Sequence, residues 1–134
     1  MIRLPKLKNE GETPKNNEDL KAEAKAKKIR LERNRLKKVF TSLDKNKLII
    51  VQALINNAAF MIVELEELQN EISRDGVSEK YKNGANQWGV KQSTATEVHI
   101  SMTRNLSTII KQLLDLVPKE ERKDGKFAEM RKFI

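Results

Sequence analysis

Along two stretches of this chain, apolar side chains recur at the three- and four-residue steps of an α-helix. In the first, Leu48, Val51, Ile55, Ala58, Ile62, Leu65 and Ile72 form one stripe, with Gln69 filling the single gap. Ile50, Leu54, Met61 and Leu68 run beside it. Two adjacent stripes describe a helix covered over more than half its circumference, and the polar edge Glu64, Glu67 and Glu71 shares one remaining face. In the second stretch, Val98, Met102, Leu106, Ile109, Leu113 and Leu116 form a stripe that Ile110, Leu114 and Val117 widen. The spacing predicts helices over residues 44–75 and 94–117. Ser42 or Asp44 would cap the start of the first, and the Asp75-Gly76 pair would end it. Ser93, with Thr96-Glu97 behind it, would open the second, and Pro118 would stop it.

Between them lies a polar insert, DGVSEKYKNGANQWGVKQ, which holds the only Trp (Trp88), the only Tyr (Tyr81) and three of the five glycines. Asn83-Gly84 predicts a β-hairpin, because a two-residue type I′ turn needs positive φ at both central positions. Its arms would be residues 77–82 and 85–90, with Tyr81 and Trp88 closing a small cluster across the strands or meeting a neighbouring subunit.

The rest of the chain divides around this pair. Residues 1–18 mix Pro5, Gly11, Pro14, Asn16 and Asn17 with charge and suggest a disordered leader. Residues 19–43 predict a basic helical arm that starts at Glu18 or Asp19 and has a thin apolar face of Ile29, Leu36, Val39 and Phe40. Residues 44–118 form the core, with residues 76–92 as its insert. The tail, residues 119–134, is charged, with Phe127, Met130 and Phe133 as an apolar edge suited to docking on a partner. The expected architecture is mainly α: a long antiparallel helical hairpin with a β-hairpin-like insert and a basic N-terminal helix. The surplus of apolar surface on both long helices implies a homo-oligomer, with Leu48, Val51, Ile55, Ile62, Leu65, Leu106, Ile110 and Leu113 at its contacts.

Charge sharpens this picture. The net charge is +8, but the stretch 48–75 carries one cation, Arg74, against five carboxylates. The chain therefore has a basic arm, an acidic middle and a basic C-terminal part, an asymmetry that suits a polyanion. Lys21, Lys25, Lys28, Arg30, Arg33, Arg35, Lys37 and Lys38 are the candidates for phosphate contacts, which would give salt-sensitive binding to double-stranded DNA. The bland alternative is a solvated helix with Glu23 and Glu32 as intrahelical partners.

Candidate chemistry is sparse. Without cysteine there is no disulfide, thiolate metal site or Cys nucleophile. His99 is the only histidine and has no second His or Cys to complete a transition-metal site. No nucleophile elbow and no glycine-rich phosphate loop is present. No catalytic residue, metal or cofactor is expected. The apolar run 48–63 is interrupted by Gln52, Asn56 and Asn57 and is shorter than the ~20 residues of a membrane span, so a soluble, cytoplasmic protein without a membrane partner is expected.

Several stretches together resemble a known family. They are residues 54–61 (LINNAAFM), 65–69 (LEELQ), 81–89 (YKNGANQWG) and 105–118 (NLSTIIKQLLDLVP). In these words, and in the order of basic arm, long helix, Asn-Gly insert and helix ending before a proline, residues 36–119 resemble the small terminase subunits of tailed phages and prophages of Gram-positive bacteria. The resemblance implies a non-enzymatic DNA-packaging factor acting in the host-cell cytoplasm. Such a factor assembles into a ring, recognises viral double-stranded DNA and presents it to the terminase large subunit, which carries the ATPase and nuclease. The tail residues Phe127, Met130 and Phe133 would be its contact with that subunit. The first 40 residues lack the helix-turn-helix pattern that some small terminases have. Two other readings stay open: a DNA-binding regulator with a helical dimerisation core, and a purely structural helical adaptor.

Overall fold

The computed structural model describes residues 13–41, 43 and 45–134, and its described part is mainly helical with one small antiparallel sheet. Helix α1 spans Asn17–Val39, α2 spans Leu48–Asp75, α3 spans Thr94–Asp115 and the short α4 spans Ala128–Arg131. Strands β1 (Ser78–Lys82) and β2 (Trp88–Gln92) lie between α2 and α3.

Local chemistry accounts for most boundaries. Asn16, rather than Glu18 or Asp19, caps α1: its Oδ1 accepts from the Asp19 amide at 2.8 Å. The two carboxylates sit instead in the first turn, where the exposed N–H groups favour negative charge. The candidates Ser42 and Asp44 lie outside the described residues. A 3₁₀ turn, Lys45–Lys47, leads into α2, whose N-cap position is Lys47, without a side-chain cap. At the far end Gly76 adopts φ 86° and returns its N–H to the Ile72 carbonyl at 2.7 Å, a stop that needs glycine's freedom at positive φ. Ser93 caps α3 by accepting from the Thr96 amide at 3.1 Å.

Helices α1 and α3 both pack on α2. The core joins Leu36 and Phe40, Val51, Ile55, Ala58, Ala59 and Leu65, and Leu106, Ile110, Leu113 and Val117. Phe127 and Met130 of the tail complete it, both fully buried, with the Phe127 and Phe40 rings tilted 49° at a centroid distance of 5.7 Å. The tail reaches this position because Arg122 donates to the carbonyls of Val117 (2.7 Å) and Asp115 (3.0 Å), satisfying the end of α3. Arg131 in turn donates to the Arg122 carbonyl.

The insert is a hairpin with a different turn from the one its Asn-Gly pair predicts. Lys82 pairs with Trp88, which leaves a five-residue loop, residues 83–87, instead of two. Gly84 (φ 101°) and Asn86 (φ 63°) supply the positive dihedrals, and the Asn83 amide donates to the Gln87 carbonyl at 2.8 Å. The shift has a consequence for side chains. A two-residue turn at Asn83-Gly84 would pair Lys82 with Ala85 and set Tyr81 and Trp88 on one face. The observed register, shifted by three residues, sends them to opposite faces, because strand side chains alternate. Tyr81 lies opposite Gly89 with its ring against that glycine: a Cβ there would fall 2.6 Å from the ring.

The apolar part of α2 extends further than the interrupted run 48–63 suggested. Residues 45–75 include a stretch of mean hydropathy 1.9, long and apolar enough to cross a membrane by length and composition. The core helix of a soluble protein passes the same test. Here α1, α3 and the tail cover part of that surface, and Glu64, Glu67 and Glu71 mark its C-terminal half.

Candidate nucleic-acid interface

Fifteen of the 23 residues of α1 are Lys, Arg, Glu or Ala, types of high helix propensity, and the few apolar ones decide which way it faces. Leu36 is fully buried, and Ile29 and Val39 are half-buried against the core. The cations consequently divide into two groups. Lys25 reaches across to α2, where it bridges Glu64 and, at 3.1 Å, Glu67. Lys28 approaches Glu66 at 3.8 Å. Arg35 donates to Glu32 on its own helix and, at 2.6 Å, to Glu129 of the tail. Hydrogen bonds from Lys25 to Glu64 and Glu67 raise its pKa above the usual lysine value. Arg35 is raised in the same sense, chiefly by its bond to Glu32. These three members of the candidate set hold the fold together.

The second group points outward. Lys21, Arg30, Lys37 and Lys38 are exposed, and Arg33 is half-buried; none forms an ion pair with a described residue. Lys27, a member of the same basic run, belongs with them: Lys27, Arg30, Lys37 and Lys38 share the face opposite Leu36. Steps of three or four residues round the helix, with Asn34 between, connect these four. Between residues 24 and 41 the only carboxylate is Glu32, and Arg35 occupies it. The outward face is thus an uncompensated cationic strip about 16 Å long at 1.5 Å per residue, roughly half a turn of B-DNA.

The other candidate residues are placed elsewhere. Val51, Ile55, Leu65, Leu106, Ile110 and Leu113 are buried within the single chain and Ile62 is half-buried there, while Leu48 is exposed. Phe127 and Met130 are likewise core residues, and Phe133 packs partly against them. The apolar surface left in water is a different set: Ile49 (82 % exposed), Ile50, Phe60, Val98 and Ile100 on the helices, with Trp88 and Val90 on the hairpin. Glu64 and Glu67, on the polar edge of α2, are taken by Lys25.

His99 lies 3.4 Å from the Gln69 amide, at a groove of about 470 Å³ that also meets Arg35, Glu66 and Phe133. Among the described residues no three His, Asp or Glu side chains are grouped to hold a metal ion. No protein-family model matches this chain, and comparison with curated proteins and with solved structures returns no match.

Proposed function

We propose that the chain is a DNA-delivery factor of the small-terminase kind: an oligomeric, non-catalytic protein that grips double-stranded viral DNA in the host cytoplasm and hands it to a separate ATPase and nuclease subunit. The observation that carries the reading is the outward strip of α1, where Lys27, Arg30, Lys37 and Lys38 face solvent without a carboxylate partner among the described residues, while Lys25, Lys28 and Arg35 are engaged inside the fold. A polyanion is the partner that gains most from such a strip, by release of its condensed counterions.

The core fits the same reading. Met61 and Met102 line one groove, Gln69 meets His99, and Asp75 and Ser93 line another depression at the base of the hairpin. That order of facing residues supports an antiparallel helical hairpin of α2 and α3. For assembly, the uncovered face of α2 offers Ile49, Ala53 and Phe60, flanked by Lys45 at one end and the exposed Glu71 at the other. A second copy matches both its apolar middle and its oppositely charged ends, and repeated head-to-tail contacts of one kind close into a ring.

The test is DNA binding followed by fluorescence anisotropy from 50 to 200 mM salt, with native mass spectrometry on the same samples. Each phosphate neutralised contributes about −0.9 to the slope of log K against log salt. Replacing Lys27, Arg30, Lys37 and Lys38 by alanine should flatten the slope by about 3.6, if each meets one phosphate, and leave the assembly intact. An unchanged slope, or no wild-type binding at 50 mM salt, refutes DNA as the partner. A species no larger than a dimer at every concentration refutes the ring and returns the protein to the regulator class.

A further inference from the structure

The hairpin carries a second polar-apolar surface that the α1 strip does not explain. The register places Lys80 opposite Val90 and Lys82 opposite Trp88, so these four side chains share one face of the ribbon. Trp88 is 68 % exposed and Val90 67 % exposed, although both are large and apolar. Among the described residues, the shallow depression they form, about 450 Å³, is lined by Lys80, Trp88, Gly89 and Val90. Tyr81 does not cover Trp88, because the register turns it to the other face, where its ring lies against Gly89.

Charge is sorted in the same way. On the far face Lys91 pairs with Glu79 at 3.3 Å, so that face is neutral. The Trp88 face has cations only: Lys80, and Lys82 with its Nζ 5.8 Å from the indole centroid. An exposed indole between two uncompensated lysines joins a base-stacking plane to phosphate-binding charge. Base–aromatic stacking tolerates any sequence because every base has a π-face. A two-stranded ribbon also fits the major groove. Lys25 of α1 meets Glu67, two turns before the end of α2, so the start of α1 lies toward the end of α2 that carries the ribbon.

We infer that the Lys80/Lys82/Trp88/Val90 face is a second DNA contact, in which the lysines meet phosphates and Trp88 lies against a base that is unpaired or reached through a groove. The inference deepens the DNA-delivery reading and rests on it. A protein partner for an exposed tryptophan is the competing occupant; the absence of any carboxylate on this face, and its lysines, favour a polyanion over a neighbouring chain.

Trp88 is the only tryptophan in the chain, so intrinsic fluorescence reports on this face alone. The full-length protein is titrated at 50 mM salt with a single-stranded oligonucleotide, with a duplex of the same sequence and with polyphosphate, which has charge but no bases. Anisotropy of labelled DNA is followed in parallel. Both oligonucleotides, or either one, should quench Trp88 in step with binding, and polyphosphate should not. Quenching by the single strand alone identifies an unpaired base; quenching by the duplex identifies groove insertion. Trp88→Ala should weaken binding of the quenching form about tenfold or more, the scale of losing one stacked base. Trp88→Phe should retain most of the affinity, and Lys80→Ala with Lys82→Ala should weaken it and reduce the salt slope. DNA that binds by anisotropy while Trp88 stays silent overturns this inference and leaves the α1 reading standing. A spectral shift that follows protein concentration without DNA also overturns it, and assigns the face to another copy. If DNA does not bind at all, both fall.

Discussion

Replacing Phe127 by alanine separates two roles for the C-terminal tail. A tail that exists to dock on another protein would expose its apolar edge, and truncating it would cost binding but little stability. In the structure Phe127 is fully buried, and its ring packs on Phe40 at the end of α1. Removing a buried phenylalanine costs about 3–5 kcal/mol, the lost transfer free energy plus the cavity left behind. Here the cavity would open between α1 and the tail, beside Met130, which is also fully buried. Taking about 4 kcal/mol, and a urea dependence of roughly 2 kcal/mol per molar for a chain of this size, the midpoint of unfolding should fall by about 2 M. The loss is a large part of the 5–15 kcal/mol that typical domains have. Urea unfolding followed by far-ultraviolet circular dichroism measures it, with all variants at one protein concentration because self-association adds to apparent stability. Glu129→Gln serves as the control: it removes only the exposed end of the Arg35 pair and should move the midpoint by a few tenths of a molar at most. A Phe127→Ala midpoint within 0.5 M of wild type would refute the tail as part of the core.

Two further substitutions probe how α1 and the hairpin are held. Lys25→Gln removes the bridge to Glu64 and Glu67 and should cost about 1 kcal/mol at neutral pH, since the pair is partly solvated. The raised pKa of Lys25 makes this contribution complete below the ordinary lysine pKa and lost as pH rises through the folded one, so the wild-type advantage over Lys25→Gln should shrink only at strongly alkaline pH; an advantage that disappears between pH 7 and 9 in urea unfolding argues against the pair. Gly89→Ala places a methyl against the Tyr81 ring and should swing that ring off the ribbon while leaving global stability within about 0.5 kcal/mol; unchanged Tyr81 ring shifts by nuclear magnetic resonance would contradict the close approach.

How much of this was legible beforehand depends on the range of the interaction concerned. The start of α3 was readable because Ser93 acts on an amide three residues away. The end of α2 was readable because Gly76 acts within one turn. The hairpin was readable as a hairpin, but its register was not. Asn83-Gly84 is a strong signal for a two-residue turn, yet Asn86 also accepts positive φ. That choice between turns decides which face every later side chain occupies. Burial showed the same divide. The three- and four-residue steps identified Val51, Ile55, Leu106 and Ile110 as side chains that leave water, and all four are in the core, as are Phe127 and Met130, which read as a docking edge. Periodicity says that a stripe is covered without saying by what. The third helix and the tail, not only a neighbouring subunit, were available to do it.

The same limit applies to the lysines and arginines, where the division of labour depends on tertiary placement. Along α1 they look like one basic run. In three dimensions Leu36 sets the helix orientation, and orientation then decides which cations reach the acidic edge of α2. Lys25 and Lys28 do; Lys27 and Arg30, on the other side of the same turn, cannot. A thin apolar face therefore has two effects. It leaves the N-terminal half of α1 held by ion pairs worth little in salt, while Leu36 and Phe40 fix the C-terminal half in the core. It also leaves a broad arc of helix whose only apolar side chains, Leu20 and Leu31, stay exposed, and the uncompensated strip lies along that arc. A helix with a full apolar stripe would be anchored more firmly and would have less circumference to offer a polyanion, so α1's weak amphipathicity and its exposed charge are two results of one sequence choice.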